Sequence, residues 1–353
     1  MSDTLDEAKD VRNGEDLPPE RIETYLKDTV PGLSGPVSVR QFPSGHSNLT
    51  YLVTVGGREM VLRRPPFGTK AKSAHDMGRE YRILKALSPH FPCPRPLAYT
   101  EDSSVIGAPF YVMERIKGII LRKDPPPGLA FPPADARALS ENLMDLMVKL
   151  HGLDFKALGL DGFGKPEGYI RRQVEGWSGR YRAARTQDAP DFESVMEWLA
   201  GRMPKVTRAA VIHGDYKFDN VVLNPENPLE IIGVLDWEMA TVGDPLMDLG
   251  SSLAYWVEAS DPKEVVAIRM MPTNMEGCLT RRELVARYEE RSGLKVDDWA
   301  FYHCFGLFRL AVIAQQIYYR FAKGETRDER FGKFIFAVHI LEQAAGMVMA
   351  GKL

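Results

Sequence analysis

Apolar and polar residues alternate through the first third of the chain, and then the spacing turns helical. Val37 and Val39 alternate with Ser38 and Arg40, which predicts a strand over residues 37–42. Residues 49–55 and 58–63 are two further strands about Gly56-Gly57, a hairpin turn. Before that hairpin, residues 43–48 form a polar loop. Met77, Glu80, Ile83, Leu84 and Leu87 share one face of a helix predicted over 73–87. Residues 110–115 read as a strand entering a connector. Beyond them, Leu139, Leu143, Leu146, Met147 and Leu150 mark a core helix over 135–153. Residues 249–256, 305–317 and 331–349 are apolar and helical. The predicted class is α+β, with a small antiparallel sheet and one main helix first and a larger helical part after it.

Chemistry concentrates in residues 211–249. An apolar run leads into His213-Gly214-Asp215-Tyr216-Lys217-Phe218-Asp219-Asn220. Residues 221–223 and 229–235 are strand candidates around Asn224-Pro225-Glu226-Asn227-Pro228, which is turn chemistry. Folding about that turn places Asn220 opposite roughly Gly233, with Asp236 three residues past that level, roughly 10 Å along a strand. Asp215, Asn220 and Asp236 are the residue types that phosphoryl transfer needs: a carboxylate to position a hydroxyl, and an amide and a carboxylate to hold Mg2+ on a nucleotide. Lys217 is the cation for the transferred group. Glu80 is an acid on an apolar face and needs a partner. Arg63 on the preceding strand supplies one, and alternation sends Arg64 to the other face, so that only Arg63 points inward.

The segment 213–220 resembles the catalytic loop of the aminoglycoside phosphotransferase and choline kinase superfamily, relatives of the protein kinases. Leu235-Asp236-Trp237-Glu238 stands at the kinase Asp-Phe-Gly position, and Gly243-Asp244-Pro245 with Asp248-Leu249 completes the pattern. The chain is most similar to the phosphotransferase domains associated with acyl-CoA dehydrogenases, from about Gly45 to the last helix. The resemblance implies a two-lobed protein-kinase-like fold that binds ATP between its lobes. It implies a nucleotide-covering N-lobe over 21–113, a hinge over 114–118 with Glu114 beside the adenine, and a helical C-lobe over 119–353. It further implies that Ser44, Gly45, Ser47 and Asn48 cover the phosphates and that Arg63, fixed by Glu80, holds them where relatives carry lysine. Asp215 and Lys217 would be catalytic, Asn220 and Asp236 would hold Mg2+, and Asp248 would brace the loop as well as cap its helix.

Composition narrows the setting. The chain has 353 residues, 44% hydrophobic, with a formal net charge of −3. It is long enough for two lobes and shows no basic excess that would suit nucleic acid. Cys93, Cys278 and Cys304 form no C-x-x-C pair, and a reducing cytoplasm is the expected compartment. Residues 1–20 are acidic and polar and are expected to be a mobile tail. Arg309, Gln315 and Gln316 interrupt the apolar helix at 305–317, which marks a buried helix and not a membrane span. Residues 165–185 carry six cations against two carboxylates, a local charge of +4, with Tyr169, Trp177 and Tyr181 interleaved. A basic aromatic surface of this kind suits an anionic acceptor, a hydroxy acid or hydroxyacyl-CoA. The alternatives are an aminoglycoside- or choline-type kinase and a nucleotide-binding regulatory protein without turnover. No partner beyond the small-molecule substrate is expected, and the chain is a monomer or a homodimer.

Overall fold

The computed structural model describes residues 7–43, 48–67, 76–205, 208–326 and 328–353. The chain divides into two compact units. The first comprises Met1–Ile120 and Asn220–Ala240, and the second Leu121–Asp219 and Thr241–Leu353. The division is therefore not continuous along the chain, as the expected lobe boundaries were. The segment carrying Asn220 and Asp236 packs with the first unit, because its hairpin bonds there.

The first unit is built on a five-stranded antiparallel sheet. Its strands are β1 (Val37–Gln41), β2 (Leu49–Val55), β3 (Arg58–Arg64), β4 (Pro96–Thr100) and β5 (Phe110–Glu114), in the order β1-β2-β3-β5-β4. The predicted hairpin about Gly56-Gly57 is present, with Val55 opposite Arg58. Helices α1 (Pro19–Thr29), α2 (Met77–Leu87) and the single turn α3 (Ser103–Ile106) accompany the sheet. Ile22 and Leu26 of α1 pack with Tyr51, Val53, Met60, Leu62 and Val112 in one apolar cluster. Each such side chain contributes about 1.5–3 kcal/mol on burial. The expected mobile tail is a correction: from Ala8 onward the segment is packed. Lys9 and Gln41 exchange backbone hydrogen bonds of 2.8 Å, and the Tyr51 hydroxyl donates to the Glu15 carbonyl at 2.8 Å. Leu17 is buried, and α1 begins at Pro19, inside the predicted tail.

The second unit is mainly helical. It holds α4 (Pro133–His151), α5 (Tyr169–Ala184), α6 (Glu193–Gly201) and β6 (Ala210–Ile212). Strands β7 (Val221–Leu223) and β8 (Ile231–Val234) form the hairpin that joins the first unit, where Val234 N donates to Pro92 O at 2.8 Å. The second unit resumes with β9 (Thr241–Gly243), paired to β6, and continues through α7 (Pro245–Tyr255), α8 (Lys263–Ala267), α9 (Arg281–Ser292), α10 (Trp299–Ala322) and α11 (Phe334–Met349). With the turn before it, α11 is the one stretch among the described residues long and apolar enough to cross a membrane. One face of it, Val338, Leu341, Ala345 and Val348, is buried, and α11 lies along α10.

Two glycines set the crossing of α7 and α10. A Cβ on Gly250 would lie 2.2 Å from the Tyr302 carbonyl oxygen, and one on Gly306 would lie 2.1 Å from the Gly250 oxygen. Backbone meets backbone there, so neither atom can swing aside. Close by on α10, His303 is fully buried with Nδ1 unpartnered, its ring stacked on Trp299 at 5.7 Å. Burial, aided by the Arg281 charge, pushes its pKa down to about 3.

Two predictions follow from this helix pair. Gly306→Ala forces the helices apart and should cost about 1–3 kcal/mol, measured by urea unfolding; an unchanged midpoint would show that the crossing has slack. His303 is held neutral in the folded chain, whereas an unfolded histidine titrates near ~6.5. Between that value and about 3, only the unfolded chain gains a proton. Stability is therefore present above ~6.5 and falls as pH drops through the window, by up to about 1 kcal/mol per pH unit from this group. His303→Leu should lose less stability than the parent between pH 7 and pH 5, and equal losses in the two would refute the assignment.

Candidate active site

In the first unit the site is organised around one guanidinium. Arg63, near the end of β3, is 7% exposed, and Nη1 donates to Glu80 Oε1 of α2 at 2.5 Å. The same guanidinium donates to Asp236 Oδ1 at 3.0 and 3.1 Å and lies 3.5 Å from Glu238 Oε2. Asn48 Nδ2 donates to that Glu238 oxygen at 3.0 Å. Three carboxylates thus face one cation. Burial opposes the charged form of Arg63, but Glu80, Tyr111, Asp236 and Glu238 hold its pKa well above that of a free guanidinium. The predicted Arg63–Glu80 pair is present. Arg64 is also buried, which corrects the expectation that only one arginine points inward. It lies on the opposite face, where it donates to the Pro65 and Ile106 carbonyls and covers the Phe67 ring at 3.6 Å.

The β7–β8 register corrects the predicted one. Val221 pairs with Val234, Val222 with Gly233 and Leu223 with Ile231, so that an irregularity skips Ile232 of β8. Leu235 N donates to Asn220 O at 2.7 Å, so Asn220 stands level with Leu235 and not with Gly233. Asp236 is the next residue, and the predicted three-residue gap shrinks to one. Asp236 has φ 64°, in the left-handed region where Asp and Asn are better tolerated than most residues. Trp237 fixes the turn that follows: it is buried, its Nε1 donates to Val234 O at 2.8 Å, and its ring meets Phe91 edge-on at 5.7 Å. Asn220, Asp236 and Glu238 offer hard oxygen donors of the kind magnesium takes. Among the described residues no group of three His, Cys, Asp or Glu side chains forms an all-protein cage. A magnesium ion carried on nucleotide phosphates needs only one or two carboxylates.

Other predicted nucleotide residues fall differently. Ser44, Gly45 and Ser47 lie outside the described residues. Glu114 is engaged with Arg95: its amide donates to the Arg95 carbonyl at 2.9 Å and its carboxylate accepts from Arg95 at 2.5 Å.

In the second unit Asp248 organises the loop. Its carboxylate is fully buried on α7 and accepts from His213 N at 2.8 Å and Gly214 N at 2.8 Å. His151 Nε2 lies 3.2 Å away, and His151 Nδ1 meets the Tyr288 hydroxyl at 2.8 Å. Burial pushes the Asp248 pKa up, but hydrogen bonds and charge from His151 and His213 outweigh it and leave it lowered. The bracing role expected for Asp248 is met in this geometry. The capping role is not, because the helix starts earlier, at Pro245. The cap is Asp244, whose side chain accepts from Leu246 N at 2.9 Å, with proline at the favoured first position.

Within that loop Lys217 Nζ donates to Asp215 Oδ2 at 2.6 Å and sits 4.5 Å above the Tyr255 ring. Burial opposes the ammonium, yet Tyr255 and Asp215 together raise its pKa above the ordinary lysine value. Burial and Asp215 push the Tyr255 hydroxyl up to about 12. Gly214 has φ 82°, and Arg309 Nη2 donates to its carbonyl at 2.6 Å. Sequence reasoning missed Arg309, Tyr255 and the Asn48–Glu238 bond. The signal for Arg309 was present, since one arginine inside an apolar helix needs a reason to be buried. The basic segment is corrected as well. Trp177 and Tyr181 are buried in the core, Arg182 pairs with Glu193 at 2.5 Å, and Arg172 donates to the Lys165 and Glu167 carbonyls.

The family model described as "Phosphotransferase enzyme family" matches residues 38–281. Mouse acyl-CoA dehydrogenase family member 10 is 39% identical over 323 residues, covering 90% of this chain and 30% of that protein. The chain spans 30 to 41% of the length of the relatives named as acyl-CoA dehydrogenases. The crystal structure of a putative aminoglycoside phosphotransferase from Ralstonia eutropha is 31% identical with a TM-score of 0.80, covering 94% of this chain and 98% of that one. Choline kinase from Cryptosporidium parvum shares the fold at a TM-score of 0.63 and 12% identity, over 95% and 98% of the two chains. The chain belongs to the phosphotransferase enzyme family, with its two-lobed protein-kinase-like fold.

Proposed function

We propose that this chain is a small-molecule kinase in which Asp215 orients or deprotonates the acceptor hydroxyl and Lys217 stabilises the γ-phosphoryl group of ATP. The observation that carries the reading is the loop braced by Asp248. It holds Asp215 at 19% side-chain exposure against a lysine at 2.6 Å, on a backbone fixed by two amide hydrogen bonds. Phosphoryl transfer depends on positioned charge more than on covalent help from the protein, and a fixed carboxylate–ammonium pair supplies it. Asn220 begins the hairpin five residues after Asp215. In this reading Asn220 and Asp236 hold Mg2+, which would neutralise charge on the nucleotide phosphates. Arg63 would hold the phosphates while Glu80 keeps it in place. Asn48 would cover them together with Ser44, Gly45 and Ser47.

For the acceptor we favour an anionic hydroxy acid or hydroxyacyl-CoA. Relatives named as acyl-CoA dehydrogenases direct attention to acyl thioesters. Arg309, which donates to the Gly214 carbonyl beside Asp215, and Arg180, which shares the Trp177 ring with it, also suit an anionic acceptor better than a cationic amino sugar or choline.

Asp215→Asn should bind ATP as the parent does and lose ~10²–10⁴ in turnover, read by a coupled kinase assay; near-parental turnover would remove Asp215 from its role. Asp236→Asn keeps a side chain suited to the left-handed turn but discards a charge. It should abolish magnesium-dependent nucleotide binding in calorimetry while leaving the unfolding midpoint within about 1 kcal/mol. Undiminished magnesium dependence in that variant would contradict the metal assignment.

A further inference from the structure

Beside the catalytic loop and the Trp177 ring stand two arginines for which no salt bridge is found among the described residues. Arg309 on α10 is 6% exposed, and its Nη2 donates to the Gly214 carbonyl, next to Asp215, at 2.6 Å. Its guanidinium lies 5.3 Å from the centre of the Trp177 ring. The Arg180 guanidinium of α5 lies 3.9 Å from the same ring. Both side chains belong to the second unit, as do Trp177, Tyr255 and the loop itself. Among the described residues neither arginine is within 4.0 Å of a carboxylate, although two neighbours on α5, Arg172 and Arg182, are tied to carbonyls or paired.

A buried guanidinium without an anion is costly. A second guanidinium, on the solvent-exposed residue Arg180, adds repulsion, and partial desolvation together with the Arg309 charge lowers the Arg180 pKa. One indole shared by two cations relieves part of this through its π face, and the Gly214 carbonyl relieves another part. An anion with two or more oxygens would relieve the remainder. The planar forks of two arginines match a carboxylate or a phosphate far better than a neutral hydroxyl.

We propose that Arg180 and Arg309 form an anion subsite on the acceptor side, taking a carboxylate or phosphate group of the acceptor against Trp177. The assignment of that group to the acceptor rests on the kinase reading above. The subsite makes Arg180 and Arg309 specificity-determining residues, with the acceptor hydroxyl directed to Asp215 by an anchor elsewhere on the molecule. Arg309 has a second, structural contact in the Gly214 carbonyl, so a bracing role must be separated from anion binding.

The test uses the full chain with three acceptors: 3-hydroxybutyrate, its CoA thioester and its neutral methyl ester. Arg180→Gln and Arg309→Gln each remove a charge, and the second retains a donor for the Gly214 carbonyl. Each should raise the KM of the charged acceptors by roughly 10- to 100-fold and leave that of the methyl ester little changed, so that the preference for charge collapses. The free acid and the thioester together separate a carboxylate anchor from a phosphate anchor. Equal losses on charged and neutral acceptors would leave the kinase reading intact and overturn the subsite, marking the arginines as braces only. Calorimetry with the same two anions covers the other failure. If the parent binds the thioester without turnover and Arg180→Gln does not bind it, the subsite holds and the kinase reading falls. If the parent binds neither anion, the subsite is wrong.

Discussion

A single buried carboxylate governs the second unit. Asp248 lies fully inside, where an isolated charge would be untenable. It is tolerated because two backbone amides and a histidine converge on it, and that convergence shapes the loop between β6 and the hairpin. The requirement is mutual. The amides of His213 and Gly214 have left regular strand pairing and need an acceptor, and the carboxylate needs donors. Around this exchange are arranged the glycine crossing of α7 and α10, the His151–Tyr288 contact and the Asp215–Lys217 pair.

The first unit solves the opposite problem. Its buried ion is a cation, Arg63, and the groups gathered round it are carboxylates from α2 and from the turn after β8. An arginine can meet Glu80 and Asp236 together because its nitrogens diverge, whereas a lysine presents one nitrogen. The replacement of the family's usual lysine thus ties β3, α2 and the Asp236 turn through one side chain. Asn48 extends the arrangement by bonding Glu238, so the end of the polar loop is connected to the same charges.

Much of this was legible in the sequence, and the rest was not for identifiable reasons. Strand β1 announced itself by alternation, and β2 and β3 by the Gly56-Gly57 turn. The Glu80–Arg63 pair followed from an acid on an apolar face. The register of β7 and β8 did not follow, because the hairpin does not fold symmetrically about its turn and a one-residue irregularity between Val222 and Leu223 leaves no trace in composition. The N-terminal segment misled because it is polar and acidic. Its order comes from backbone exchange between Lys9 and Gln41, which side-chain identity does not encode. The cationic stretch at 165–185 looked like a uniform surface. Its aromatic residues point inward instead, and most of what made it look basic is neutralised or tied up locally.

Gly214 carries a consequence of its own. Its amide is held by an anion and its carbonyl by a cation, with a φ of 82° that glycine adopts without penalty. Both ends of this residue are clamped by charges from two different helices, α7 and α10. The backbone entering Asp215 therefore has little orientational freedom left to lose when a substrate arrives. The entropy of aiming the carboxylate has been surrendered during folding, which is where a catalyst that works by placement does best to surrender it.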